Sequence, residues 1–275
     1  MHSGVKRCAL SIATTIGALV LAQPVTALER EAFRVCADPN NLPFSHRNEQ
    51  GFENRLAELW ADKLGLEVEY TWFPQRRGFI RNTLRAKNEN DQYKCDVVMG
   101  IAEGFDQLMT TKPYYRSTYA LVYVKGRKLD GVQSGDDVVN LDDERKSELK
   151  IGAFDATPGP AWLQRHGMLR QMVGFPAMSG DPEDYPGEII EQGLTAGELD
   201  AALVWGPIAG YFAKRSDIEM VVIPLESEPG VHFDFGISAG VRRGEDEAKE
   251  QLEQLMDETS DEIREILESY NVPLL

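Results

Sequence analysis

Gly236-Ile237-Ser238-Ala239-Gly240 has the short pattern of a hydrolase nucleophile elbow, in which a serine stands on a tight strand-to-helix turn with its base later in the chain. The spacing defeats that chemistry. His2, His46, His166 and His232 all precede the serine, and Ser238 lies inside a continuous strand-like run. A small residue packed in a strand is therefore expected there. The same histidines show no i, i+4 pairing and no Cys/His ligand spacing, so no metal site is expected. An oxygen-rich calcium loop, a phosphate-cradling loop and a dinucleotide glycine fingerprint are likewise missing. Asp38 and Glu103 are the one carboxylate pair that could be offered for acid-base work, and linear sequence does not bring them together. No catalytic residue is assigned.

Chemistry of recognition has better support. Arg76, Arg77, Arg81 and Arg85 fall within ten positions, and on a helix Arg77, Arg81 and Arg85 would share one face, either as a solvated face or as a docking surface. Trp72, Tyr114, Tyr115 and Trp205 offer rigid aromatic area, with core packing as the alternative for each and the preferred reading for Phe73. The whole chain of 275 residues carries 45 Asp and Glu against 29 Lys and Arg, a formal charge of -16. That balance excludes nucleic acid as the natural partner, because phosphate binding needs clustered positive surface that releases counterions.

The elements that must position these groups alternate between strand and helix. Residues 1–27 read as a cleaved export signal, with Lys6 and Arg7 as the basic start, Cys8 to Ala22 as the uncharged apolar stretch, and Val25-Thr26-Ala27 before the cut. Export leaves Cys36 and Cys95 as an even pair in an oxidising compartment, where they form either a disulfide or two buried thiols. Periodicity predicts strands over 33–37, 67–72 and 96–99, a helix over 52–64 closed by Gly65, and a second helix over 75–85 after Pro74. A strand over 119–124 follows. A polar stretch over 125–143 suits a crossing between two domains, and a second set has strands over 150–154, 201–204 and 220–223, a helix from Ala161 and a loop over 179–187. Residues 232–241 read as strand and 246–270 as one amphipathic helical region. Eleven acids between 245 and 268 are read as its solvated face. Alternation of this kind implies α/β lobes built on parallel strands.

Gly51-Phe52-Glu53, Leu64-Gly65, Cys95 to Gly100, Lys112-Pro113-Tyr114-Tyr115 and Leu199-Asp200-Ala201-Ala202 resemble the type II periplasmic binding proteins of the amino-acid-binding family. The resemblance spans nearly the whole mature chain and implies a two-lobed clamshell, with lobe 1 made of residues 28–124 plus 228–275 and lobe 2 of 125–227. Ligands of open sheets sit at the carboxyl ends of the strands, so residues 38–45, 72–77, 100–106 and 157–159 should face the cleft. The family holds a free amino acid by an arginine after the third strand and a carboxylate at the end of a second-lobe strand. Here residues 100–106 contain no arginine, and Trp205 occupies the carboxylate position. A zwitterion would lose two charge-assisted contacts of about 1.5 to 3 kcal/mol each.

Residues 36–44, 72–78 and 111–119 and Trp205-Gly206-Pro207 resemble a narrower group, the MoxJ/XoxJ accessories of quinoprotein methanol dehydrogenases. That resemblance implies a periplasmic accessory, itself without cofactor, serving a methanol or alcohol dehydrogenase that carries pyrroloquinoline quinone (PQQ). It implies a cleft that takes a polypeptide or small molecule and a chain that is neither membrane-embedded nor an enzyme. Asp38, Asn40, Asn41, Phe44, Trp72, Arg76, Arg77, Glu103, Tyr114, Tyr115, Arg116, Thr157 and Trp205 are the residues expected around that cleft. The alternatives are the receptor of an ABC importer for a small polar ligand and a dehydratase on the same scaffold using Asp38 and Glu103.

Overall fold

The computed structural model describes residues 31–177, 181 and 183–275; the export-signal reading lies outside them. The first strand, β1 (Ala32–Ala37), alternates sides, with Phe33, Val35 and Ala37 in one apolar cluster and Cys36 in another. Two short strands, β2 (Asn40–Asn41) and β3 (Ser45–His46), lead into α1 (Phe52–Leu64), which ends at Gly65 in the left-handed conformation. Its Phe52, Leu56 and Trp60 are fully buried against the sheet. Next come β4 (Glu67–Trp72), α2 (Phe79–Asn82), β5 (Val97–Ala102), β6 (Met109–Thr110) and β7 (Tyr115–Val124). The polar stretch carries α3 (Gly135–Val139) and α4 (Asp143–Ser147), each started by a side chain cap, from Ser134 and Asp142. Then follow β8 (Ile151–Phe154), α5 (Pro158–Arg165), β9 (Met172–Phe175), β10 (Ala201–Trp205), α6 (Gly206–Arg215), β11 (Met220–Pro224), β12 (Asp234–Val241), α7 (Asp246–Glu258) and α8 (Ser260–Ser269).

Ten strands join in one sheet, in the order β4-β1-β5-β12-β7-β10-β8-β9, with β6 and β11 paired beside β12 and β7. Expectation and structure differ in the mixture of directions. β1 runs parallel to β4 and β5, and β8 parallel to β9 and β10, but β12 and β7 are antiparallel to their neighbours. β7 links the two parts: Tyr115 to Thr118 pair with β12, and Tyr119 to Val124 with β10 or β11. Beyond that handover Leu121 and Tyr123 face one core while Ala120, Val122 and Val124 face the other.

Three local expectations are corrected. The arginine helix shrinks to α2, because Gly78 adopts φ +91°, and Thr83 ends it with its hydroxyl donated to the Phe79 carbonyl. Arg77 and Arg85 thus lie off the helix. The C-terminal helical region divides at Thr259, whose hydroxyl bonds the Leu255 carbonyl and accepts from the Trp60 indole at 3.2 Å. Between the helix from Ala161 and the strand at 201, where the sequence predicted only a loop over 179–187 that lies partly outside the described residues, stand β9 and a π-helical turn, Ile189–Leu194. The other strands and α1 fall where expected within a few residues, and Ser238 is a fully buried residue of β12.

Cys36 and Cys95 form a disulfide with 5.4 Å between their Cα atoms. The parallel neighbours β1 and β5, with Cys36 opposite Val98, bring Cys95 within reach just before β5 begins.

Candidate functional site

The carboxyl ends of β1, β4, β8 and β9 point at a common cavity of about 170 Å³. Its first wall is the pair of turns after β1 and β4, with Asp38, Asn40, Asn41, Gln75 and Arg76. These turns are tied together by Asp38, whose carboxylate accepts the Asn40 N–H at 2.8 Å and the Gln75 N–H. Asn41 adds a bond from its amide to the Gln75 side chain at 2.9 Å. The second wall comes from Phe154, Phe175, Asp181, Asp184, Tyr185 and Glu188, with Pro176, Ala177, Pro186 and Ile189. Phe154 and Phe175 meet edge to face at 6.1 Å, and the Asn40 amide crosses to the Glu183 carbonyl at 3.0 Å.

Sequence reading thus found one wall. Asp38, Asn40, Asn41 and Arg76 are brought together, and the other expected residues lie elsewhere. Phe44 packs on Phe52, and Trp72 stacks on Tyr70 at 4.5 Å under the Arg47 guanidinium. Arg77 is exposed. Glu103 pairs with Arg116 at 3.7 Å, and Arg116 also holds Asp234 at 3.0 Å; the hydroxyl bond from Ser227 and then the bond from Arg116 lower the Asp234 carboxyl. Tyr114 sits edge-on to Trp60 with its hydroxyl accepting the Gly100 N–H, and burial pushes that hydroxyl well up. Tyr115 is buried beside it and is likewise pushed up. Thr157 donates to the Phe154 carbonyl at 2.7 Å, and Trp205 lies against Tyr119 and Phe235. The second wall was missed because it depends on β9. Its sequence, Met-Val-Gly-Phe, is too short an apolar run to classify by period.

The lining is acidic: Asp38, Asp181, Asp184 and Glu188 face one guanidinium, Arg76. Burial and the charges of Asp184 and Asp181 raise the Glu188 carboxyl. Such a cavity favours a cationic group over an anion or a zwitterion held by its carboxylate. It is also smaller than the roughly 300 Å³ at which ordinary ligand pockets begin. Asp38 and Glu103 are held by separate partners and do not share the cavity. Among the described residues no group of His, Cys, Asp and Glu is arranged to hold a metal ion, and no helix is long and apolar enough to cross a membrane.

A mixed α/β sheet with its cavity at the carboxyl ends of parallel strands is the architecture of the type II periplasmic binding proteins, shared with amino-acid-binding solute receptors. No family model matches the sequence. The crystal structure of the periplasmic binding protein XoxJ from Methylobacterium extorquens AM1 is 33% identical, covering 89% of this chain and 99% of that one at a TM-score of 0.68. MxaJ from Methlophaga aminisulfidivorans MPT superposes at a TM-score of 0.73 with 23% identity, over 89% of this chain and all of that one. Protein MoxJ of Paracoccus denitrificans is 27% identical over 271 residues, 94% of each chain. The chain belongs to the MoxJ/XoxJ family of periplasmic binding proteins.

Proposed function

We propose that this chain is a periplasmic accessory of a PQQ-dependent methanol or alcohol dehydrogenase, acting by binding the dehydrogenase or a maturation partner. The cofactor belongs to the dehydrogenase and none to this chain. Two lobes, 28–124 with 228–275 and 125–227, would close on the bound segment, after removal of the export signal.

The observation that carries the reading is the missing pair of ionic anchors. Trp205 is packed among Tyr119 and Phe235 where a zwitterion's ammonium would need a carboxylate, and the one base lining the cavity is Arg76. A small cavity in which four acids outnumber the one guanidinium, Arg76, suits a cationic side chain presented by a polypeptide better than a transported zwitterion. The purified chain should therefore retain the quinoprotein dehydrogenase on a column, and deleting its gene should lower dehydrogenase activity. Millimolar glutamine or arginine should leave its melting temperature unchanged. A rise with free amino acid would transfer the protein to the importer receptors.

A further inference from the structure

Among the described residues β9 is the last strand of the sheet, paired with β8 on one side and with no strand on the other. The Asp155 N–H donates to the Phe175 carbonyl at 2.8 Å, so Phe175 turns its backbone toward β8. By alternation Gly174 and Met172 turn their N–H and C=O groups outward. Natural edges are guarded by charge, proline or a bulge, and Met-Val-Gly-Phe contains none of these. Val173 and the nearby Leu169 are two of the few large apolar side chains left exposed among the described residues. Beneath the strand, toward Leu199 and the π-helical turn, lies a groove of about 620 Å³, and the Gln171 Oε1 is buried without a hydrogen-bond donor. Phe175 and Glu188 belong both to this groove and to the acidic cavity. A chain laid along β9 would arrive at that cavity.

We propose that β9 is a docking edge for an extended polypeptide segment of the partner, which adds to the sheet as a further strand and places a Lys or Arg side chain in the cavity. Backbone groups at residues 172 and 174 hold the segment in register, and the apolar part of the groove, at Leu149, Met172 and Leu199, takes its alternate apolar side chains, while Lys150, Arg170 and Glu198 line the rest. The acids Asp38, Asp184 and Glu188 select the cation. The inference deepens the accessory reading and rests on it for the segment's owner, though not for its chemistry.

A random dodecapeptide display library selected on the intact protein is the probe. Enriched peptides should carry Lys or Arg at one end of an alternating apolar run and slow amide exchange at Gly174 at least tenfold. Val173→Lys should weaken them tenfold or more, Gly174→Pro should abolish binding, and Gly174→Ala should stay within twofold. Val173→Lys, at an exposed position, covers the case in which the proline variant does not fold. Enrichment of nothing, of peptides without a cation, or of peptides that bind Val173→Lys as well as the parent would overturn the edge. If the dehydrogenase is retained equally by parent and Val173→Lys, this inference falls while the accessory reading stands. If these peptides bind β9 but no dehydrogenase is retained, the reading falls and the edge stands.

Discussion

Glu53 is the second residue of α1, 8% exposed, and its Oε1 has no hydrogen-bond partner. It lies over Gly100, where a Cβ would come within 2.3 Å of that oxygen, and it influences the Tyr114 and Tyr115 hydroxyls beside it. Burial first, then the negative charge of Asp38, raise its carboxyl to about 8. The unfolded chain would lose this proton near 4.5, so between those values the folded state holds more protons. Stability must then fall as pH rises from about 4.5 toward 8 and level off above, a loss of a few kcal/mol at roughly 1.4 kcal/mol per unit. Urea midpoints should drop from pH 5 to pH 8 in the parent and stay nearly flat in Glu53→Gln. Equal slopes would mean that another group sets the pH dependence. Gly51-Phe52-Glu53 was visible in the sequence as a family pattern, but the burial that gives Glu53 this property was not.

Between elements, the disulfide closes a sequence separation of 59 inside the apolar cluster of Phe79, Leu84 and Val98. On the chain-entropy model it contributes about 4 kcal/mol. Replacing both cysteines by serine should cost about that much in urea unfolding, and a loss below about 1 kcal/mol would refute an entropic role. α6 meets the C-terminal residues closely: a Cβ on Gly210 would lie 1.8 Å from the Asn271 carbonyl oxygen. Gly210→Ala should therefore destabilise by about 1 to 3 kcal/mol, read as a lower melting temperature, although alanine is the better helix former. The sequence reading assigned no helix between the strands at 201–204 and 220–223, and the packing shows why the middle of α6 must be glycine.

Across the whole molecule, the arginines expected to act together are divided by the fold. Arg76 lines the cavity, Arg77 is exposed outside it, and Arg85 is spent on the Gln107 carbonyl at 2.6 Å. Arg76→Glu should alter retention of the dehydrogenase by severalfold, while Arg77→Glu should leave it near the parent value, measured by surface immobilisation at fixed salt. Equal effects would indicate a diffuse electrostatic contact rather than the cavity.

Local pattern was sufficient for α1, for most strands and for the absence of a triad, because these depend on periodicity and on residues a few positions apart. It was also sufficient to read Trp205, and residues 100–106 without arginine, from residue identity alone. The cavity is different in kind. Asn40 and Glu183, whose contact spans 143 positions, meet only when the sheet is assembled, and β9 becomes an edge only through the order in which strands pair. The amino-acid sequence therefore carried the family. Tertiary structure decided which four of the expected residues share a site and what faces them, because burial and long-range pairing are properties of the packed chain and not of any window along it.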